Sequence, residues 1–315
     1  MMIRLSFIYI SLLIIGCSGG NNLTTVEMNG QRTEVLSKVA KGDSTVVKMT
    51  SYHENGQVSV MRPFKKGVPH GKWQWLGEEG SRDTIRVYKD SLLDGKSRAW
   101  HPNGVLLFEQ IFKSGLRVGT WQIWYDDETL RSLSEYANNE LNGVHVTWYS
   151  SGVVASLTEY ENGKKNGTFS EWTPKGRIVS NEIYIDDIPH ILIKWHDSGE
   201  LNSATAFRDG KKEWLLAWDR HGRRISESLH EKHTIHRVRF QNGNRQIEAD
   251  FIDDKKHGAE LQWHQNGLLA VVQFYVRNRI IYERVYDKKG GFKHETVSVK
   301  GEPIWSRKKE PKIPS

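Results

Sequence analysis

The sequence predicts an all-β fold, an elongated, open and twisted antiparallel meander of stacked β-hairpin repeats. A signature between Gly143 and Asn166 recurs along the chain at a spacing of 22 to 24 residues. In that unit an aromatic residue follows the first glycine by five positions, a second glycine by nine, and a second aromatic residue by seventeen. A period in this range, with alternating apolar residues and glycine-containing turns, is typical of an array of stacked supersecondary units.

The recurrences cover most of the chain. Unit starts lie 24 residues apart as far as Gly167 and 22 or 23 apart after it. The starts are Val47, Gly71, Gly95, Gly119, Gly143, Gly167, His190, Glu213, Ile235, Gly258 and Ile281. An array grows by adding units, so the period replaces the usual expectation of two globular domains for a chain of this length.

Each unit is predicted to be a hairpin. The run from Val144 to Trp148 alternates apolar and polar residues, as a strand with one buried face does. Ser150-Ser151-Gly152 supplies a turn, and a second strand is expected over residues 153–160. Asn162-Gly163 then leads into the next unit, because both residues tolerate positive φ at little steric cost.

Three motifs resemble MORN repeats in the variant form common in bacterial proteins. They are the G-x-W-x-x-W-Y pattern that begins at Gly119, the Asn-Gly turns, and the Y-x-x-G-K-x-x-G pattern from Tyr160 to Gly167. The resemblance extends from about Val47 to Gly301. It implies hairpins stacked into a long meander that serves scaffolding or binding. Some bacterial proteins with such repeats are antitoxin-like, which supplies an alternative function by analogy.

Residues 1–16 have the features of a lipoprotein signal peptide. Arg4 precedes an apolar stretch, Leu5 to Ile15, that is too short to span a hydrocarbon layer about 30 Å thick. The residues up to Cys17, Ile-Ile-Gly-Cys, resemble a lipobox. This resemblance implies acylation of Cys17 and attachment to a membrane of the cell envelope, with the outer membrane favoured over the inner one. A secreted protein with an incidental cysteine is the alternative.

The other boundaries follow from composition. Residues 17–26 are polar and contain glycine, so they are predicted to be the lipidated cysteine and a flexible tether. Residues 27–46 are predicted to be a divergent capping unit, residues 47–305 the repeat array, and residues 306–315 a charged tail. Cys17 is the only cysteine, so the chain has no intramolecular disulfide.

The aromatic residues are predicted to hold the array together. Those that recur in register are expected to stack between neighbouring units, where each buries a large apolar area. Trp73, Trp214 and Trp305 fall out of register. We expect these three to lie on an exposed surface.

No catalytic centre is predicted. His230, His233 and His236 form the strongest candidate for a metal site, but this spacing on a turn and a strand does not place three imidazoles on one face. Gly95-Lys96-Ser97 lacks the earlier glycine of a phosphate-binding loop. Acidic pairs such as Asp186-Asp187 are expected to be solvated turn residues. We therefore expect no enzymatic activity, no metal and no cofactor.

Charge indicates the candidate binding surface. Lysine pairs fall in turns between units, which places them along one edge of the predicted sheet. The predicted binding residues are Lys164, Lys165, Lys211 and Lys212. A basic edge would attract an anionic surface or an acidic protein. The alternative is that these charged turns only keep the sheet soluble and prevent edge pairing.

The sequence thus predicts a membrane-tethered, non-enzymatic repeat protein whose extended surface binds a protein or a cell-envelope polymer. The alternative is an antitoxin-like inhibitor that neutralises a single partner protein. Removal of residues 1–16 lowers the net charge from +7 to +6, because Arg4 is the one charged residue in that segment. This charge is small for so long a chain, and no nucleic-acid partner is expected.

Overall fold

The described part of the chain consists of strands and turns. A computed structural model describes residues 20–40, 43–228, 233–299 and 302–307, and the chain divides after Leu116 into two compact units. Every regular element within those ranges is a β-strand. None of the described residues form a helix long and apolar enough to cross a membrane. The predicted signal peptide and Cys17 lie outside the described residues.

The first unit is an antiparallel meander. Its strands are β1 (Gly20–Met28), β2 (Gln31–Ala40), β3 (Asp43–Tyr52), β4 (Val58–Lys65), β5 (Val68–Pro69), β6 (Gly71–Leu76), β7 (Arg82–Lys89), β8 (Leu92–Leu93), β9 (Gly95–Trp100) and β10 (Leu106–Lys113). Strands β1 to β4 pair in chain order, and the pairing continues from β4 to β6, β7, β9 and β10.

Strand β1 begins at Gly20, inside the segment that the sequence predicts to be a tether. Asn29 and Gly30 have φ angles of 52° and 74°, which suit the tight turn that joins β1 to β2. The resulting ladder pairs Leu23 with Leu36 and Val26 with Thr33. Residues 20–26 are mostly polar, yet they form a strand that alternates in exposure and pairs with β2.

The second unit contains two antiparallel sheets. The short strand β11 (Leu116–Arg117) lies at the boundary between the units. The first sheet holds β12 (Gly119–Trp124), β13 (Leu130–Ala137), β14 (Glu140–Trp148), β15 (Val154–Glu161), β16 (Lys164–Trp172), β17 (Ile178–Ile185), β18 (Ile188–Trp195), β19 (Leu201–Arg208), β20 (Lys211–Trp218) and β21 (Arg224–Ser228). The other, of seven strands, holds β22 (His233–Arg239), β23 (Arg245–Ile252), β24 (Lys255–Trp263), β25 (Leu269–Val276), β26 (Arg279–Tyr286), β27 (Phe292–Val299) and β28 (Glu302–Arg307).

The predicted all-β antiparallel meander of hairpin repeats is confirmed. Strand β14 ends at Trp148 and β15 begins at Val154, and Tyr149 N donates to Val153 O at 2.8 Å to close the loop between them. A register shift directly precedes Trp148. Equivalent shifts precede Trp172, Trp195, Trp218 and Trp263, so a β-bulge sets the direction of the recurring aromatic in these units.

Several units begin with glycine because a side chain at that position would clash with a neighbouring residue. Gly167 has a φ of 115°, and a Cβ added there would lie 2.3 Å from Glu159 Oε2. That oxygen accepts hydrogen bonds from Thr168 N at 2.6 Å and Thr168 Oγ1 at 2.8 Å. Gly143 makes the same room for Glu135. Because glycine has no side chain, it leaves room at the start of the unit for a carboxylate of the preceding strand.

A hydrophobic core joins the two sheets of the second unit. Buried residues of β17 to β20, including Ile193 and Leu216, form one cluster with residues of β24 to β26, including Leu261 and Phe274. The sequence predicts stacking along the array but not this packing of one sheet on another. The added layer covers a face that a single-layer array would leave in water.

The expected exposure of Trp214 is wrong. Its side chain is 1% exposed, its ring lies 5.4 Å from that of Phe274, and its Nε1 donates to Tyr275 O at 3.2 Å. Trp73 in the first unit is only half-buried, and its Nε1 donates to Pro63 O at 3.0 Å. The side chain of Trp305 lies outside the described residues.

A polar network lies inside the second unit. Asn181 Nδ2, on β17, donates to Glu295 Oε1, on β27, at 2.6 Å. Tyr282 OH also donates to this oxygen, and Arg284 Nη1 lies 3.5 Å from it. Burial disfavours the Arg284 cation, but Tyr286, Tyr282 and Glu295 raise its pKa above the ordinary value. The network links the two sheets through one buried carboxylate.

Candidate binding surfaces

The turns between hairpins are joined to one another in the second unit. Asp187 Oδ1 accepts a hydrogen bond from Lys165 N at 2.8 Å, and Asp187 N donates to Lys165 O at 3.0 Å. Asn139 makes the same pair of bonds with Arg117, at 2.7 and 3.0 Å. We call the row of turns at residues 138–139, 162–163, 186–187 and 209–210 the turn edge. Gly163 N also donates to Leu141 O at 2.8 Å, so three of the four turns are bonded to the preceding unit.

The turn conformation explains the acidic pairs. Asp186 and Asp187 have φ angles of 50° and 66°, and Asp253 and Asp254 have 46° and 57°. Asparagine and aspartate tolerate this left-handed region better than most residues. These carboxylates therefore stand where the turns need short polar residues, and Asp186 and Asp187 share the turn edge with the lysine pairs. The edge carries both signs of charge rather than a uniform basic surface.

The four predicted binding lysines differ in their surroundings. Lys165 is half-buried, with its Nζ 4.7 Å from the ring centre of Phe169 and 4.8 Å from that of Tyr184. Lys164 is exposed, 3.9 Å from Asp186 Oδ1. Lys211 and Lys212 are exposed as well. Three of the four thus present their charge to solvent, and Lys165 covers repeat aromatics instead.

This stacking of a cation on the second repeat aromatic recurs. Arg117 lies 4.6 Å from the ring centre of Tyr136, and Lys256 Nζ lies 5.0 Å from that of Tyr275. Each cation stands two positions before a unit-start glycine, and each ring stands seventeen after it. The long aliphatic stems shield the rings while the charged ends remain near water. The cation two positions before the unit-start glycine is therefore a packing residue in these units.

The opposite edge of the same sheet is fixed in a different way. Tyr125 OH donates to Trp148 O at 2.9 Å, and Tyr149 OH donates to Trp172 O at 2.8 Å. In a later unit His196 Nε2 lies 2.9 Å from Trp218 O. The residue after the recurring tryptophan thus bridges to the next unit, which explains the Trp-Tyr pairs of the signature.

His233 and His236 of the candidate metal site do not lie close together. His233 Nε2 lies 2.9 Å from Asp250 Oδ1, whereas His236 is exposed, with its ring 4.6 Å from that of Phe251. Residues three apart on a strand face opposite sides, so the two imidazoles separate. No cluster suited to a metal ion occurs among the described side chains, and His230 lies outside them.

A buried ion pair joins the end of one sheet to the other. Asp250, on β23, accepts hydrogen bonds from both terminal nitrogens of Arg224, on β21, with Nη2 at 2.9 Å from Oδ2. The Asp250 side chain is fully buried and that of Arg224 is 6% exposed. Asp250 Oδ2 also accepts from Ala259 N at 2.8 Å. The carboxylate thus holds β21, β23 and β24 together.

Both units contain a polar cavity. A cavity of about 400 Å³ in the first unit is lined by Arg32, Tyr52 and Glu54, among others. Two of these lining residues bond to Glu34, which accepts hydrogen bonds from Arg32 and from Tyr52 OH, both at 2.7 Å. The Tyr52 hydrogen bond, followed by that of Arg32, lowers the pKa of Glu34. The positive charge of Arg32 at this cavity is thus paired with a carboxylate.

The cavity in the second unit is lined by arginines and was not predicted. It measures about 220 Å³ and lies among Arg223, Arg224, Arg237, Arg239 and Arg245. These residues are scattered over 23 positions of the sequence, and strand pairing brings them together. The hairpin spacing alone could have placed Arg239 opposite Arg245, but the approach of Arg223 and Arg224 depends on the packing of the two sheets. We call this site the arginine cavity.

Comparisons with known proteins support the repeat assignment. Residues 46–66 and 93–114 match the MORN repeat variant family, which confirms the resemblance at these two places. No curated protein matches the chain. The chain is similar to a Tc holotoxin pore of Photorhabdus luminescens with a mutated TccC3 component, at 10% identity and a TM-score of 0.17, over 85% of this chain and 17% of that chain.

A second solved structure, described as TcdB2-TccC3-TEV, is also 10% identical. Its TM-score is 0.18, and the match covers 88% of this chain and 19% of that chain. The present chain therefore spans less than a fifth of either of these chains. TM-scores this low do not indicate a shared fold or function.

Proposed function

We propose that this protein is a non-enzymatic binding module, held at a membrane of the cell envelope by a lipid on Cys17. The turn edge of its second unit would contact a protein or an envelope polymer. The MORN-type repeats at residues 46–66 and 93–114 support a binding role. The observation that carries the proposal is the hydrogen bonding that ties three of its four turns, at residues 138–139, 162–163 and 186–187, to the preceding unit.

A fixed row of turns favours binding for an energetic reason. Ordering flexible loops on association costs free energy, and turns that are already held in place avoid much of that cost. Lys164 begins β16 and Lys211 begins β20, so the two charges stand four strands apart on one edge. At about 4.8 Å per strand, this is a separation of roughly 19 Å. A partner with acidic groups at that interval would contact both at once.

Crosslinking in intact cells, followed by recovery of the protein, tests the proposed contact. We expect one dominant envelope partner, and the triple variant Lys164→Glu, Lys211→Glu and Lys212→Glu should recover much less of it. The matched control is Lys175→Glu, an exposed lysine in the loop between β16 and β17 at the opposite edge. Added salt should also weaken the contact, because exposed charges are screened over about 8 Å at physiological ionic strength.

Two results would contradict the role of the turn edge. One is undiminished recovery by the triple variant, and the other is an equal loss with Lys175→Glu. The tether has its own test, because Cys17→Ala should abolish fatty-acid labelling and release the protein from the membrane fraction. Labelling that persists in this variant would remove the lipid anchor from the proposal. Nothing in the described residues favours the antitoxin-like alternative.

A further inference from the structure

We infer that the arginine cavity is a binding site for a dianionic phosphoryl group. It lies between the loop before β21 and the β22–β23 hairpin, and it uses no residue of the turn edge. Its volume of about 220 Å³ is far larger than one ordered water requires. The inference rests on the balance of charge around the cavity, on the placement of two arginines, and on guanidinium geometry.

Three of the five arginines have a carboxylate partner. Arg223 Nε lies 2.8 Å from Asp219 Oδ2, and Arg237 Nε lies 3.1 Å from Glu248 Oε2. Arg224 forms the buried pair with Asp250 described above. These pairs neutralise three positive charges. They also orient the side chains that form the wall of the cavity.

Arg239 and Arg245 are bonded to neutral groups instead. Arg239 Nη1 donates to Gly243 O at 2.8 Å, and Arg245 Nη1 donates to Gly222 O at 2.7 Å. Within the described residues neither guanidinium has a carboxylate in ion-pair range. Glu200 Oε2 comes near Gly222, but it does not line the cavity. About two positive charges therefore remain at the cavity without a fixed counter-charge.

The same two arginines stand directly opposite each other on neighbouring strands, β22 and β23. Like charges in this position destabilise a sheet. The pair two residues before Arg239 on β22, Arg237 opposite Glu248, is complementary. An anion bound between the two arginines would offset their mutual repulsion, because it attracts both guanidinium groups.

The arginine side chains that line the cavity favour a phosphoryl group as the ligand. Guanidinium groups present planar sets of donors that match phosphoryl oxygens in pairs. Arg245 is already oriented, because its guanidinium carbon lies 5.6 Å from the ring centre of Trp263. A phosphomonoester carries a charge near −2 at neutral pH, which matches the two uncompensated arginines, whereas a carboxylate would neutralise only one.

Calorimetric titration of the protein with inorganic phosphate tests the inference, with chloride at matched ionic strength as the reference. We expect saturable binding of phosphate and an increase in melting temperature as phosphate is added. Phenyl phosphate distinguishes the source of the group, since tighter binding than free phosphate would indicate a monoester on a larger molecule. Acetate should give no comparable shift.

The variants Arg239→Gln and Arg245→Gln keep hydrogen-bonding capacity but remove the charge. Each should weaken phosphate binding about tenfold or more, the loss expected for one charge-assisted hydrogen-bonding group. Without phosphate their melting temperatures should be unchanged or higher, because the like-charge pair is relieved. This second readout separates lost binding from lost folding. Arg279→Gln, an exposed arginine of β26 outside the cavity, should bind phosphate as the unmodified protein does.

Three results would overturn the inference. The first is phosphate binding no stronger than that of chloride at equal ionic strength. The second is equal weakening by Arg279→Gln, which would indicate general screening rather than a site. The third is acetate binding as tight as phosphate, which would contradict the match to a doubly charged group.

Discussion

The hairpin that begins at Gly71 and the one that begins at Glu213 share a repeat register, but the tryptophans of their first strands at Trp73, Trp75 and Trp214 lie on opposite faces. Strand β6 of the first unit carries Lys72 and Gln74 at the positions where β20 of the second carries Trp214 and Leu216. Lys72 is exposed, whereas Trp214 and Leu216 are 1% and 0% exposed. One register thus supports a single layer in the first case and a two-layer sandwich in the second.

The two regions also cover their aromatic residues differently. In the first unit Trp73 and Trp75 lie on the face opposite Lys72, and Arg62 and Arg86 lie over their rings at 5.8 and 5.6 Å. Arginine side chains shield such rings while the charge stays near water. Burial lowers the pKa of Arg62. At β20 of the second unit the other sheet covers Trp214 instead, so that face becomes an interior.

The largest expected effect contrasts the two out-of-register tryptophans. Trp214→Ala should lower the free energy of unfolding of the second unit by about 3 to 5 kcal/mol, because it leaves a large cavity between two packed sheets. Trp73→Ala should cost less, since its ring is half-buried and neighbouring side chains can close over the gap. Chemical denaturation measured by far-ultraviolet circular dichroism would test both. An equal or larger loss of free energy of unfolding for Trp73→Ala would contradict the proposed difference between the single-layer and two-layer regions.

These tryptophans show what the sequence could and could not predict. The period, the turns and the recurring aromatics specify hairpins, because each depends on residues close in sequence. The face that becomes interior depends on a shift of one position, since Trp73 stands two residues after its unit start and Trp214 stands one after. A one-residue shift on a strand moves a side chain to the other face.

The candidate sites were predictable to different degrees. The turn edge follows from hairpin spacing, so the positions of Lys164 and Lys211 could be predicted. The stacking of Lys165 on Phe169 and Tyr184 could not, because it depends on side-chain reach between neighbouring strands. The arginine cavity needs contacts between two sheets, which no local pattern encodes.

An intermediate effect concerns buried polar contacts in the two regions. Asn181→Ala should cost about 1 to 3 kcal/mol, because it removes a donor from the buried Glu295 carboxylate. In the first unit Ser51→Ala removes a hydrogen bond of 3.0 Å to Thr33 Oγ1, between two neutral hydroxyls, and should cost about 1 kcal/mol. Urea titration of both variants measures the two losses in free energy of unfolding and gives their ratio. A double-mutant cycle with Glu295→Gln should show coupling to Asn181, and strict additivity would exclude the proposed role of the network.

The smallest expected effect is a pH dependence that arises on β14, where Val146 faces a hydrophobic cluster and His145 lies half-buried on the other face. Burial lowers the pKa of His145, although a backbone hydrogen bond with Leu133 opposes the shift. The unfolded chain, with a histidine pKa of about 6.5, therefore takes up the proton more readily than the folded protein. The stability contributed by neutral His145 is present above that pKa and is lost as the pH falls through it toward the lower folded value.

His145→Gln should thus show a smaller fall in melting temperature between about pH 7.5 and about pH 5.5 than the unmodified protein, because glutamine takes up no proton in that range. Glutamine can also retain the hydrogen bond to Ser134 Oγ, which lies 2.8 Å from His145 Nδ1. His221→Gln, at an exposed turn, is the matched control and should leave the pH dependence unchanged. Equal slopes for His145→Gln and the unmodified protein would mean that this face of β14 is as open to water as the exposed face of β6.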